Sequence, residues 1–474
     1  MQGCMKHSYV ADPISTNSVL TEINSWDINN TELNQFLMAN GISQEKLNSN
    51  TFSIERLYLT SLYYDPDMQV AYKKLKKAQV TAKYADYDIN PQISVPFEYH
   101  TEAFDEGQSN WTIGSVLSFI YQRKGKREAR QARANVDLLN ANLAIIQLAF
   151  EEHGRLKDSY HAYIVTKTKI MEIENEISVL QELSKQLENK YALGGVSQFE
   201  ISTIQLELQQ RLFQLSLQEN ILQANKDDLL SLSNLAYSEY NDVEIEYVQP
   251  LSLVKRLYQK PDIIEANVTH LQSSLLDNHL KMAMMLNDYA QTEAELRLRI
   301  ESQFPDLVLS PGFIYDQSDN IWALGTSWIL PLFKNTQQNL NILKALEDRK
   351  IKQHEVIVFQ KNLLNSLYMK HKSVLRHQET LEVSDRIVES IEKRATEITK
   401  QIEIGGIDNL SLLRNRMEFY KAKQAQIDIY YDALIAMHEI EHLLQTPDFG
   451  SKINEIVSLW LNHIEEKETN EVTN

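Results

Sequence analysis

The stretch Tyr191-Ala192-Leu193-Gly194-Gly195-Val196-Ser197-Gln198-Phe199-Glu200 sets a glycine pair between two helix-forming segments, and it returns in kind as Ile402-Glu403-Ile404-Gly405-Gly406-Ile407-Asp408-Asn409-Leu410-Ser411. A second landmark keeps the same distance. Trp111 with Gly114 recurs as Trp322 with Gly325, so both marks are offset by 211 residues (405 − 194 and 322 − 111). Within each copy the Trp stands 83 residues before the glycine pair (194 − 111 and 405 − 322). A period this long exceeds the roughly 20 to 50 residues of a solenoid repeat, so the chain reads as the duplication of half a molecule.

From Arg123 to Gly194, and again from Lys334 to Gly405, 71 residues pass without a proline. As helices these could each extend on the order of 100 Å at ~1.5 Å per residue. The chain turns at each glycine pair and comes back along shorter arms, Val196–Ala236 and Ile407–Thr446. On the first arm Ile201, Leu208, Leu215, Leu222 and Leu229 recur every seven residues, a seam of coiled-coil type that speaks for packing and not for chemistry. The stretches Ser53–Asp88 and Leu251–Ser302 are expected to lie beside the remaining length, with Asp65-Pro66-Asp67 and Lys260-Pro261-Asp262 as equivalent breaks.

Between these stretches and the long helices the period changes to two. Ile93, Val95, Phe97 and Tyr99 alternate with Gln92, Ser94 and Glu98, with Pro96 out of pattern, and Trp111, Ile113, Leu117, Phe119 and Tyr121 alternate with Thr112, Gly114 and Ser118. Copy two repeats the hairpin with Leu307, Leu309, Phe313 and Tyr315, a turn at 316–320, then Trp322, Leu324, Trp328, Leu330 and Leu332. This predicts four strands, near 91–99, 111–121, 305–315 and 321–333. An ordinary small sheet on helices fits that pattern, and so does a contribution to an outer-membrane barrel, which needs about eight or more strands and would have to pool them between chains.

Composition narrows the function classes. The formal charge is −18, from 47 Lys and Arg against 65 Asp and Glu, with no basic tract, which speaks against nucleic acid as a partner. Gly (13) and Pro (10) are scarce, as suits a mainly α chain with a small β part. No apolar run reaches the ~20 residues of a membrane helix. The single cysteine, Cys4, excludes an internal disulfide. Standing after Gly3, it is either incidental or the lipid-anchored first residue of a mature lipoprotein whose signal segment lies upstream. The chain divides into an N-terminal extension (1–52), a first repeat (53–250), a second repeat (251–446) and a C-terminal tail (447–474).

Duplicated long helices with two hairpins, the two tips quoted above, and the stretches Phe304–Pro311 and Trp322–Phe333 together resemble the TolC-like outer-membrane efflux factors over about residues 54–446. The resemblance implies a homotrimer in which three chains give four strands each (3 × 4 = 12) to one barrel, continued by an α-helical tunnel in the periplasm. It implies a passive exit duct for a tripartite exporter, with outer-membrane lipid around the barrel and a periplasmic adaptor and inner-membrane pump as partners. Gly194, Gly195, Gly405 and Gly406 then mark the closing end and the adaptor contact. Glu200 takes the acidic position six residues after the first tip glycine, where Ser411 stands in copy two. The Tyr and Arg that latch the closed end in family members are replaced by Ile402 and Ile407.

Two rival readings stand beside this one: a coiled-coil interaction protein without a channel, and a zinc hydrolase. The second rests on His438-Glu439-Ile440-Glu441-His442, which satisfies H-E-x-x-H, with Glu465 or Glu466 as a third ligand. Its counterpart in copy one, Asp227–Asn234, lacks the pattern, and polar helix faces often carry His and Glu. The methionines in Lys281-Met282-Ala283-Met284-Met285-Leu286 are soft enough for copper(I), yet fit as core filler. No Walker loop, dinucleotide glycine pattern or Ser/His/Asp grouping occurs, so no enzymatic activity, cofactor or resident metal is expected.

Overall fold

A computed structural model describes residues 9–101, 108–316, 318–328, 337–445 and 453–473. Cys4 and the end of the fourth predicted strand, beyond Trp328, lie outside the described residues. The chain opens with helices α1 (Thr16–Ile23), α2 (Thr31–Ala39) and α3 (Gln44–Leu47), a short strand β1 (Thr51–Phe52), then α4 (Ile54–Tyr64) and α5 (Pro66–Asp86). The first hairpin holds β2 (Gln92–Ser94), β3 (Phe97–Tyr99) and β4 (Trp111–Tyr121), followed by α6 (Lys124–Ala192) and α7 (Gln198–Leu232). After β5 (Glu244–Ile245) come α8 (Pro250–Leu257), α9 (Pro261–Ile264), α10 (Val268–Asn278) and α11 (Leu280–Glu301). The second hairpin is β6 (Leu307–Asp316) and β7 (Asp319–Ser327), and α12 (Gln337–Glu403), α13 (Asn409–Leu444) and α14 (Ile453–Thr473) complete the described chain. Among the described residues no helix is long and apolar enough to cross a membrane.

The chain forms two compact units, and each repeat contributes to both: Met1–Met68, Leu148–Asn278 and Leu364–Asn474 in the first, Gln69–Gln147 and His279–Leu363 in the second. In the first unit α6 and α13 lie between α7 and α12, an arrangement set by polar contacts. Asn225 of α7 bonds Thr166 of α6 (3.0 Å), Lys169 of α6 meets Asp428 of α13 (2.5 Å), and Gln426 of α13 bonds Asp385 of α12 (2.6 Å). The seven-residue seam behaves as expected, with Ile201 and Leu229 buried and Leu208, Leu215 and Leu222 half-buried. The parallel pairing of β1 with β5 ties the chain before the first repeat to the end of that repeat. Helix α14 docks here as well, burying Trp460 completely and setting Lys467 on Glu32 (2.8 Å).

In the second unit the order is α5, α6, α11, α12. Arg127 of α6 pairs with Asp86 of α5 (3.0 Å), Gln291 of α11 with Asp137 of α6 (2.7 Å), and Arg349 of α12 with Glu293 of α11 (3.2 Å). The proline breaks are not equivalent as the sequence suggests. Pro66 and Pro261 each begin a helix, but α9 spans only four residues, and the long pre-strand helix of copy two starts after His279. The matching pairs are α4 with α5 (11 and 21 residues) and α10 with α11 (11 and 22), broken at Asp65 and His279. His279 caps α11 by accepting from the Met282 N–H (3.3 Å), a break made without proline and so without a sequence mark.

Candidate functional site

The hairpins join into one sheet in the order β2–β4–β6–β7, with β3 also paired to β4. The predicted first strand is cut in two at Val95-Pro96, because proline has no N–H for the ladder. Its register nevertheless continues: Ile93 faces Leu117, Phe97 faces Ile113, and Gly114 N–H still donates to the Pro96 carbonyl (2.9 Å). Gly114 is required there, since a Cβ would stand 2.9 Å from both Ile314 and Pro96 side chains.

Directly opposed residues share a face of a sheet, so the register sorts the side chains. One face carries Ile93, Phe97, Tyr99, Trp111, Ile113, Leu117, Phe119, Tyr121, Leu309, Phe313, Tyr315, Trp322 and Leu324. The aromatic rings gather near the turns: Trp111 lies 4.8 Å from Phe97 and 4.6 Å from Tyr99, and Phe313 lies 4.9 Å from Trp322. Much of this face is bare in the single chain, with Trp322 at 82% and Leu324 at 70% exposure. The other face has no aromatic side chain; Gln92, Ser94, Glu98, Thr112, Gly114, Ser118, Ser310, Gly312, Asp316, Gly325 and Ser327 alternate there with aliphatic residues. Polar links bridge its strands, Ser118 to Ser310 (2.9 Å) and His100 to Thr112 (2.9 Å), with Thr112 also donating to Asp316. The sheet ends in two open edges, β2 with β3 on one side and β7 on the other. Aromatic and mainly apolar on one face, mixed polar and aliphatic on the other and, among the described residues, unpaired at both edges, it suits a segment of a barrel wall.

At the tips, Gly194 (φ +73°) and Gly405 (φ +75°) hold the left-handed conformation that ends a helix in one residue. Each following helix is then capped by its own sequence: Ser197 accepts from the Glu200 N–H and Asp408 from the Ser411 N–H, both at 3.3 Å. Gly195 and Gly406 complete the turns by donating to the Lys190 and Gln401 carbonyls (2.8 and 2.9 Å). Behind the turns Leu180, Leu183 and Leu187 of α6, Ile201 of α7 and Leu410 and Leu413 of α13 form one core, which brings the two tips together. Lys190 pairs with Asp408 across them, holding that carboxyl below its ordinary pKa. Glu200 is exposed in the first turn of α7, Ser411 is half-buried, and Leu193, Phe199 and Ile404 project with 79 to 87% exposure.

Further along the same helices the sequence reading missed a buried ion pair. Glu176 of α6 is wholly inaccessible and accepts from Arg211 Nε of α7 (3.0 Å) and Gln424 Nε2 of α13 (2.6 Å). Burial pushes its pKa up despite the guanidinium. Lys421 to Glu207 (2.6 Å) adds a second link between α13 and α7. Three residues on three helices share no local motif, so no spacing rule points to them.

The H-E-x-x-H segment does not assemble the zinc arrangement. Glu439 is held by Lys370 (2.9 Å), and the buried carboxylate is Glu441, which lies between Lys157 (3.0 Å) and Lys260 (2.6 Å). Among the described residues no three His, Cys, Asp or Glu side chains are grouped to hold a metal ion. Met282 is buried, in keeping with a core role.

No protein-family model and no curated protein matches the sequence. Solved structures match the fold. The outer membrane protein VceC of Vibrio cholerae aligns at 15% identity with a TM-score of 0.64, covering 82% of this chain and 95% of that one. The Campylobacter jejuni CmeC outer membrane channel aligns at 13% identity with a TM-score of 0.62, covering 96% and 94%. CusC, described for the conformational changes of its folding and transmembrane channel formation, aligns at 13% identity with a TM-score of 0.63, covering 82% and 91%. The chain therefore has the fold of these proteins, with duplicated helical hairpins and two β-hairpins.

Proposed function

We propose that this chain is one of three identical subunits of an exit duct in the bacterial outer membrane, with its helical body in the periplasm, passing cargo delivered by a periplasmic adaptor and an inner-membrane pump. The observation that carries the reading is the four-stave sheet, apolar and aromatic on one face, with an unpaired strand at each edge. In lipid such edges must be satisfied, and copies of the same chain can do so by setting β7 of one beside β2 and β3 of the next. The helix layers support the same ring. In the first unit the outer helices α7 and α12 leave Leu206 and Phe213 on one side, and Val383 and Ile387 on the other, uncovered. In the second unit the outer helices α5 and α12 likewise leave Val80 and Tyr84, and Leu340, Ile351 and Val358, uncovered. Stripes on opposite edges of one subunit make a heterologous contact, which gives a ring where the rotation between subunits closes. The likeness to the CmeC outer membrane channel, to CusC, which forms a transmembrane channel, and to the outer membrane protein VceC supports the channel reading over a non-channel coiled coil.

The tips are assigned the closing end. Gly194, Gly195, Gly405 and Gly406 allow close approach of an adaptor, and the bare Leu193, Phe199 and Ile404 give it apolar footing. Lys190 and Asp408 take over as latch where the family's Tyr and Arg are missing. Cys4 is assigned the lipid anchor, to be checked by mass spectrometry of the protein from its membrane. The function is tested by reconstituting purified protein in planar bilayers and cross-linking it in detergent. A trimeric ladder and discrete conductance steps are expected. A folded protein that stays monomeric and never conducts would refute the duct.

A further inference from the structure

The histidines of the first unit gather at one place between α6 and α13. His153 and His161 of α6 and His438 of α13 are each 5% exposed or less, and His442 follows one turn later. The His438 ring lies 6.1 Å from His161 and 5.9 Å from His442, and Tyr58 of α4 stands edge-on to His153 at 5.1 Å. Gly154, in the interior of α6, makes room: a Cβ there would stand 2.7 Å from His442 Cδ2. The charged groups around the cluster are Glu151, the Glu152–Arg155 pair, Lys157 and Asp158 from α6, Glu439 and Glu441 from α13, Lys370 from α12, and Lys260 from the turn before α9. The carboxylates of Glu439 and Glu441 are already engaged by Lys370, Lys157 and Lys260.

We propose that this cluster is an acid-sensitive joint between α6 and α13, closed while its imidazoles are neutral and loosened by proton uptake. The inference rests on the packing of the first unit alone and stands apart from the duct reading.

Burial pushes the pKa of His438 down to about 2, helped by Lys157 and the neighbouring histidines, and burial lowers His442 as well. Asp158, whose Oδ1 is 3.5 Å from His438 Nε2, supplies little counter-charge in acid, because burial raises its own pKa to about 6. Once water enters, an imidazole takes its proton near the ordinary value of about 6.5. A histidine whose folded pKa is depressed stabilises the closed joint above that value and ceases to do so as pH falls below it. Between pH 7.5 and 5.5, each imidazole that stays neutral when closed favours the opened form by about tenfold, while the raised Asp158 favours the closed form by about fourfold. Set against Asp158, His438 alone leaves a net opening of about 2.5-fold, and the lowered His442 adds to it in the same direction.

Hydrogen exchange of the full-length protein reads this directly, with rates normalised to intrinsic exchange at each pH. Protection of residues 148–165 and 433–444 is expected to fall by more than about 2.5-fold between pH 7.5 and 5.5. His438→Gln and His442→Gln, two separate variants in case one fails to fold, should each diminish that fall. His371→Gln, at a buried histidine whose Nε2 meets the Ile263 carbonyl (3.1 Å), should retain the full response. Unchanged wild-type protection across the window, an undiminished fall in both cluster variants, or loss of the response in His371→Gln would each overturn the joint.

Discussion

Replacing Arg211 by Ala strands the carboxylate of Glu176, which has no accessible surface and keeps only the Gln424 amide at 2.6 Å among its two described partners. Removing one member of a buried pair costs about 3–5 kcal/mol, because the remaining charge is left without compensation in a low-dielectric site. Glu176→Gln keeps the shape and one acceptor for Arg211 Nε but sets an amide N–H against Gln424 Nε2, so it should cost less than Arg211→Ala, about 1–3 kcal/mol. The sign with pH follows from linkage. A carboxyl whose folded pKa is raised binds its proton more tightly when folded, so acid favours the folded state as pH falls through that value. Loss of the guanidinium raises the value further, and the Arg211→Ala penalty should shrink between pH 7.5 and pH 5. The assay is the denaturant midpoint of variant against wild type at each pH, which cancels acid effects common to both. A penalty below about 1 kcal/mol at pH 7.5, or one equal at the two pH values, would refute the argument that a buried charge is being stranded.

Leu324→Lys should be lost from the membrane fraction, since a charge on the lipid face costs about 2–4 kcal/mol near the midplane, whereas Ala323→Lys, one residue away on the other face, should insert and alter conductance. Gly154→Ala should destabilise by about 1–3 kcal/mol in thermal melts, the clash with His442 exceeding the roughly 1 kcal/mol that alanine brings to a helix. Lys190→Gln should change stability by less than about 1 kcal/mol, the pair with Asp408 being partly exposed, yet raise the open probability of the pore; an unchanged closed time would end its role as a latch. If Glu200 forms a ring of charge at the constriction, Glu200→Gln should reduce cation selectivity and Ser411→Ala should not; equal reversal potentials would reduce Glu200 to a helix-start residue.

The sequence by itself determined the duplication, the long helices, the tips and the alternation of the hairpins. Each is a local property: Gly194 and Gly405 supply the left-handed residue a tight helix turn needs, and the period at Trp111–Tyr121 is read from neighbours two residues apart. Even the break at Pro96 and the unbroken parity on either side of it were present in the pattern. The break at His279 was not, because its histidine cap looks like any other polar residue until the helix direction changes. Only the tertiary structure decided which strands meet, and therefore that β4 lies beside β6 and leaves β2 with β3 and β7 as edges. It alone paired Lys190 with Asp408, 218 residues apart, and set Glu176 between Arg211 and Gln424. It also supplied the surroundings of H-E-x-x-H, since the i, i+4 spacing places two imidazoles on one helix face but says nothing of what stands opposite. The opposing helix brings Gly154, Lys157 and Asp158, and desolvation by that helix, a quantity no spacing encodes, sets the chemistry those histidines can perform.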